Sequence, residues 1–501
     1  MMGDRIESEK DRRSPSRDSL RSAAVYAFGA ALQRVLLFAL LPVVTRVMSP
    51  ASYGELSLLL AISQAAAIIL AFGLDLSIFR TFFALSDQPD RQRAFLDSTW
   101  RFLVVVPAAT AVAVGVLEWI AVGDIGILHA PDIMLALVAA AMFVAGTTVP
   151  LSLFRAEQRL RDYLLLIGAS SLVLPSLILI LVVAIDGGVR GWLIATVVAN
   201  LTTLLVATLL VPWRRSSRFN WGHVKPGLSL GVLLVPHYLS HWALNVADRI
   251  VLAGIVSASA LGIYSLAANL ALPVLVLVQS LNQGFIPTYA KAGTQEGHKT
   301  DLEDVVVIQI TLVLAICLGG AAIGPALVDV IAPSSYDAAA GLVGWLMLGY
   351  CFLGLYYVPM NGATLGAGRG RFAWVATVTS SAVNIGLLYI AVPSGGLEAA
   401  AIASAVGYGL LLLLIAIYAR GRGNPVTYRW RSIVPVTAIC AAIYAAAVLT
   451  VDPHGLVGLA GRSIWVALAL PALFHFGFGG RGAARLLQSF KPGSAPPTEG
   501  V

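Results

Sequence analysis

From Leu164 to Ile185 the chain runs without a single charged residue, which matches the roughly 20 apolar residues a helix needs to cross a bilayer. Inside lipid no water satisfies the backbone N–H and C=O groups, so a spanning segment is either a helix or a strand of a closed barrel. A barrel strand needs only about 10 residues of alternating character, and this run neither alternates nor stops there. Many others resemble it: 58% of the 501 residues are hydrophobic, 12% are charged and the mean hydropathy is +0.84, a balance foreign to soluble domains. The expected fold class is an all-α integral membrane protein with about fourteen transmembrane helices.

Hydropathy places these spans at roughly 22–47, 53–80, 96–121, 132–155, 163–185, 190–212, 228–255, 260–288, 303–326, 338–363, 371–392, 397–419, 431–450 and 456–478. Twenty-seven of the 33 Lys and Arg then fall in the termini and in the loops after even-numbered spans, for example Arg91, Arg93, Arg155, Arg159, Arg161, Arg214, Arg215 and Arg218. The loops after odd-numbered spans hold only Arg46, Arg190 and Arg462, among acidic residues such as Asp124, Asp132, Asp186 and Asp452. The positive-inside rule therefore puts both termini in the cytoplasm, which an even number of spans requires. The net charge of +7 reports this topology, and no nucleic-acid partner is expected.

Residues 1–19 are polar and aperiodic and read as a disordered cytoplasmic tail, without the short apolar core and cleavage site of a signal peptide. The expected organisation continues with a six-helix bundle over 20–212, a basic cytoplasmic linker over 213–226, and a second six-helix bundle over 227–419. Two additional spans over 420–480 and a cytoplasmic tail over 481–501 complete it. Cys317, Cys351 and Cys440 all fall inside spans, as small core residues with no metal-ligand spacing. No P-loop is present, and no cofactor is expected.

An internal repeat supports two bundles. Met48 to Leu58 lies over Val256 to Leu266 at an offset of 208, matching Ser49, Gly54, Ser57 and Leu58 to Ser257, Gly262, Ser265 and Leu266. Six spans separate the two segments, so the halves enter the membrane in the same orientation, as a parallel repeat about an axis along the membrane normal.

Arg46 followed by Met48-Ser49-Pro50, Tyr53-Gly54, Gly73-Leu74 and Arg80 resembles the opening of bacterial polysaccharide flippases. These are the O-antigen and lipid-linked oligosaccharide exporters of the multidrug, oligosaccharidyl-lipid and polysaccharide export superfamily. The second half is similar to the same family in Asp248-Arg249-Ile250-Val251-Leu252, Leu261-Gly262, Tyr264 and Pro287, and Gly366 to Arg371 resembles its basic turn. The resemblance implies two six-helix bundles that open alternately to each side of a bacterial cytoplasmic (inner) membrane. It also implies an undecaprenyl-pyrophosphate-linked sugar unit or related glycolipid as cargo, membrane lipids as surroundings, and a polysaccharide polymerase or glycosyltransferase as possible partners.

Ionisable residues within spans cost about 2.5–3.5 kcal/mol each on the insertion scale and so tend to face a cavity or one another. The candidates for cargo contact are Arg34, Asp75, Arg101, Asp248 and Arg249, with His241, Asn245, Asn282 and Gln283. His237, His241, Asn245 and Arg249 recur in steps of four, which stacks them on one helix face. That stripe faces either an aqueous cavity or neighbouring helices in a dry bundle. The 208 offset lays Gln33 on His241 and Asp75 on Gln283, so polar positions meet polar positions in the two halves. Arginine suits a diphosphate because its planar fork makes bidentate, charge-assisted contacts, and the amides suit sugar hydroxyls.

The expected function is a flippase moving a lipid-linked oligosaccharide by alternating access, not an enzyme. A drug or metabolite cation antiporter of the same superfamily is the alternative; it would use an acidic site, whereas arginine is included here. A polymerase or glycosyltransferase would need a large outward loop or an acidic metal-binding motif, and the outward loops are only about 5–12 residues long on the spans above.

Overall fold

A computed structural model describes residues 17–213, 219–292, 299–366, 373–420, 424, 426–452 and 455–489. Every long element is helical, as backbone satisfaction in lipid requires, and no strand occurs among the described residues. In chain order the helices are α1 (Arg17–Val47), α2 (Pro50–Leu70), α3 (Leu74–Ala84), α4 (Pro89–Ala121), α5 (Ala130–Ala156), α6 (Leu160–Ile178), α7 (Gly188–Leu210), α8 (Trp221–Val232), α9 (Val235–Ala253), α10 (Ala258–Ala292), α11 (Lys299–Ile331), α12 (Ala339–Asn361), α13 (Ala373–Ala419), α14 (Trp430–Thr450) and α15 (Gly455–Ser489).

Helix occupies each of the fourteen stretches expected to span. Eleven continuous helical segments among the described residues are long and apolar enough to cross a membrane. Of the three stretches by which the numbers differ, one is α1, which is not among the eleven, and the other two have physical causes. From residue 373 on, the stretches 371–392 and 397–419 lie in one helical segment, α13, interrupted at Gly396, whose φ of 61° glycine adopts without steric cost. The seventh stretch is divided into α8 and α9. Residues 1–16 and 490–501 of the expected tails, the centre of the basic linker and the basic turn after Gly366 lie outside the described residues, while α1 begins at Arg17 and α15 runs on to Ser489.

The chain forms two compact units: Met1–Met48 with Glu55–Trp242, and Ser49–Gly54 with Ala243–Val501. The boundary falls within α9, beyond the basic linker, and the first turn of α2 belongs to the second unit. In the first unit α4 packs on α5, α5 on α7, α7 on α6 and α6 on α1. Its core includes Leu74, Ile78, Phe95, Leu103, Phe154, Tyr163, Leu166 and Val224. In the second unit α10, α11 and α13 pack on α12, while α14 and α15 pack on α11 and on each other. Cys317, Cys351 and Cys440 are buried there and unlinked.

The first unit contains two broken helices that meet. Phe72 and Gly73 both have positive φ (51° and 62°) and separate α2 from α3. α8 gives way to α9 at Leu233 and Leu234, just before Pro236, which has no N–H to offer the Val232 carbonyl. Gly73 and Gly231 touch backbone to backbone, so a Cβ on either would collide with the other's main chain. Two chain interruptions thus share one close approach that only glycine permits.

Candidate functional site

Residue spacing on α9 sets the geometry of the second unit's polar layer. Asn245, Asp248 and Arg249 stand at i, i+3 and i+4, so their side chains emerge from one face. That face meets polar groups of two other helices. The Tyr408 hydroxyl of α13 donates to Asn245 Oδ1 at 3.0 Å, and the Tyr408 ring packs on Tyr350 of α12 at 6.0 Å between centroids. The Tyr264 hydroxyl of α10 donates to Asp248 Oδ2 at 2.5 Å and lies 3.2 Å from Ser404 Oγ. Asp248 Oδ1 accepts the backbone N–H of Arg249 at 2.8 Å.

Arg249 is 8% exposed. Its guanidinium donates to Asn269 Oδ1 of α10 at 3.2 Å, and Asn269 Nδ2 donates to the Tyr53 hydroxyl at 2.7 Å. Its Nε has no partner among the described residues. A buried, incompletely satisfied guanidinium is costly unless an acceptor arrives. Chemically, the layer offers a cation able to bind a phosphate or carboxylate, bordered by tyrosine and amide groups able to exchange hydrogen bonds with hydroxyls.

In the first unit Asp75 occupies the first turn of α3, immediately after the Gly73 break, where the helix N-terminus favours a negative charge. It is exposed, and the Tyr238 hydroxyl approaches its Oδ2 at 3.5 Å, the limit for a hydrogen bond. Arg34 on α1 is also exposed and makes no hydrogen bond or ion pair among the described residues, so it is not the partner of Asp75. His237 and His241 lie on α9, but their side chains are outside the described residues.

Asn282 and Gln283 diverge despite being adjacent. Asn282 Oδ1 accepts from Asn361 Nδ2 at 2.8 Å and is 3.5 Å from Gln309 Nε2. Gln309 Oε1 in turn accepts the Tyr289 hydroxyl at 2.7 Å. This network is buried between α10, α11 and α12, whereas Gln283 is exposed. The structure therefore gathers Asn245, Asp248 and Arg249 in one layer, puts Asn282 in a second, and leaves Gln283 outside both.

Sequence reasoning passed over Tyr53, Tyr264, Asn269, Tyr350, Ser404 and Tyr408. Asn269 carried a usable signal, as an amide well inside an apolar run. Tyr53 and Tyr264 stood within the short segments that mark the repeat.

The sequence profile of a family described as polysaccharide biosynthesis protein matches residues 19–292. An uncharacterized membrane protein of Haemophilus influenzae is 23% identical over 357 residues, covering 68% of this chain and 78% of that protein. Among solved structures, the lipid II flippase MurJ in an inward closed conformation aligns with a TM-score of 0.69 at 12% identity, covering 91% of this chain and 98% of the other. An inward-facing multidrug resistance MATE transporter of the MOP superfamily aligns at 0.58 and 14% identity, covering 77% and 94%. The Vibrio cholerae MATE transporter VcmN aligns at 0.55 and 16% identity, covering 81% and 96%.

Proposed function

The chain belongs to the polysaccharide biosynthesis protein family, and from that premise we propose that it is a flippase for a lipid-linked oligosaccharide. The cargo is a polyprenyl-pyrophosphate sugar repeat unit or a related glycolipid, carried from the inner to the outer leaflet of the cytoplasmic membrane by alternating access for polysaccharide export. The fold is shared with a lipid II flippase and with multidrug transporters, so fold alone does not choose the cargo. The observation that carries the choice is Arg249: buried, held by a neutral amide, and with one donor unused. A cation in that state favours an anionic head group.

Both termini are assigned to the cytoplasm, with a polymerase or glycosyltransferase as the protein's working neighbour. Cysteine labelling with an impermeant reagent in intact cells tests the orientation: positions 123 and 187 react and position 91 does not. A reactive cysteine at 91 would reverse the topology.

Function is tested by reconstituting the protein in liposomes with a fluorescent polyprenyl-diphosphate oligosaccharide and following leaflet exchange. Exchange should be fast for the native protein and lost in Arg249→Ala. The second reading, a cation antiporter, rests on the exposed Asp75 beside the broken helices of the first unit. Uptake of a lipophilic cation against a proton or sodium gradient, with no glycolipid exchange, would establish it instead.

A further inference from the structure

Arg249 could have been paired with a carboxylate, since Asp248 is its immediate neighbour. The hydrogen bonds direct Asp248 elsewhere: its two oxygens accept the Tyr264 hydroxyl and the Arg249 backbone N–H. Among the described residues no carboxylate oxygen lies within ion-pair distance of the Arg249 guanidinium. Its side-chain partner is Asn269, whose orientation is settled by chemistry. Arginine is a donor only, so Oδ1 must face it, and Nδ2 must face the Tyr53 hydroxyl at 2.7 Å.

Tyr53 is in turn fixed. Its ring is 4% exposed and meets Tyr336 edge to face at 6.1 Å. The next residue, Gly54, lies against the backbone of Ala258 and Gly262. A rigid phenol therefore holds the amide, and the amide holds the guanidinium. An amide satisfies arginine's geometry without cancelling its charge, whereas a carboxylate would do both.

We propose that Asn269 is the specificity-determining residue of this layer: with Tyr53 behind it, it keeps the Arg249 guanidinium out of direct contact with any carboxylate and so selects a diphosphate-bearing ligand over a neutral one. Asn269 and Tyr53 are positioning residues, acting through Arg249. The inference rests on the flippase reading and names the device by which its head group is chosen. Asn269→Asp keeps the shape and hydrogen-bonding reach of the side chain but puts a carboxylate in direct contact with the guanidinium.

The test uses the full chain purified in detergent, with farnesyl diphosphate and farnesol as anionic and neutral probes in titration calorimetry. The native protein should bind farnesyl diphosphate, and Arg249→Ala should weaken that binding a hundredfold or more. Asn269→Asp should weaken it at least tenfold while leaving farnesol affinity and the melting temperature of the unliganded protein unchanged. A merely structural role would instead move both probes together and lower the melting temperature.

Should Asn269→Asp not fold, Tyr53→Phe decides in its place. It removes one oxygen, keeps the ring on Tyr336, frees the amide to turn, and should cost two- to fivefold in farnesyl diphosphate affinity alone. Native affinity in a folded Asn269→Asp, or in Tyr53→Phe where the first does not fold, with binding lost in Arg249→Ala, overturns this proposal and leaves the flippase reading standing. No diphosphate binding by the native protein, or full binding by Arg249→Ala, removes Arg249 from the site and this proposal with it. Glycolipid exchange in liposomes then decides the broader reading independently.

Discussion

Gly54 and Gly262, which occupy equivalent places 208 positions apart in the repeat, pack directly on one another's helices. A Cβ on Gly54 would fall on the carbonyl oxygen of Ala258, and a Cβ on Gly262 on that of Pro50; Pro50 and Ala258 are themselves equivalent in the repeat. The turns match as well. Ser49 Oγ accepts the Ser52 N–H at 3.2 Å, and Ser257 Oγ accepts the Ala260 N–H at 3.2 Å. The first turn of α2 and the first turn of α10 are thus two copies of one motif, crossing where only hydrogen fits.

Gly54→Ala and Gly262→Ala should therefore each destabilise the protein by about 2–4 kcal/mol, at the upper end of overpacking because backbone rather than a pliable side chain stands in the way. Gly168→Ala and Gly284→Ala are the controls, since nothing lies within 4 Å of a Cβ at either helical position. They should be neutral or gain up to about 1 kcal/mol from helix propensity. Thermal unfolding in detergent checks all four. Equal effects at crossing and control positions would show that the close approach does not constrain the fold.

The appended helices α14 and α15 are tied to α11 at both ends by bonds of unequal worth. Arg462 is 4% exposed and donates to the carbonyls of Val451 and Ala322 at 3.2–3.3 Å. Arg429 pairs with Glu303 at 3.3 Å and Asp304 at 2.7 Å, but its side chain is 41% exposed. Arg462→Ala removes a buried charged donor from two carbonyls and should cost about 1–3 kcal/mol. Arg429→Ala should cost about 1 kcal/mol or less, and less still at high salt. Chemical denaturation of the two variants distinguishes them, and a larger loss at Arg429 would reverse the assignment.

A pH-sensitive contact precedes α5. Asp124 Oδ1 accepts the Ala130 N–H and its Oδ2 meets His129 Nδ1, both at 3.0 Å. The Ala130 N–H first, then His129, holds the Asp124 carboxyl below its ordinary 3.8. The bond to Asp124 holds His129 above 6.5, with Glu55 and Asp132 adding to the effect. The histidine's contribution is complete below 6.5 and lost as pH rises through its raised value. The carboxylate's is present above 3.8 and lost as pH falls through its lowered one. The contact is therefore strongest between those ordinary values. NMR of a ring-labelled His129 should give a midpoint above 6.5 that falls back in Asp124→Asn, and an unchanged midpoint would mean the pair does not form.

Hydropathy made the helices legible because each satisfies its backbone locally, whatever its neighbours. The break between α2 and α3 was not legible, since no proline stands at it, whereas Pro236 beside the break between α8 and α9 was a readable signal, having no N–H for the Val232 carbonyl. Gly73 and Gly231 reveal their purpose only when brought together. The glycines of the repeat were visible as a pattern but not as a contact. Asp248 and Arg249 stood out as ions in apolar surroundings. Tyr53, Tyr264 and Tyr408 did not, because a tyrosine in a span reads as apolar until a partner is found for its hydroxyl.

Adjacent Asn282 and Gln283 offer the sharpest separation of packing from cargo contact. Asn282 is 6% exposed and joins Asn361, Gln309 and Tyr289 in a network closed between α10, α11 and α12. Replacing it by leucine removes the acceptor of two amide donors while adding an apolar group that cannot bond them. An unsatisfied buried donor costs about 1–3 kcal/mol, so Asn282→Leu should lower stability by that amount or more. Asn361→Leu combined with it should cost less than the sum, since the two share a bond. Gln283 is exposed, and Gln283→Leu should stay within about 0.5 kcal/mol of the native protein. Transport then assigns the roles. Once corrected for the amount of folded protein, Asn282→Leu should carry glycolipid at the native rate, whereas a loss in Gln283→Leu would identify a side chain that meets the cargo. Native stability with lost transport in Asn282→Leu would show that the network opens to the substrate rather than holding three helices together.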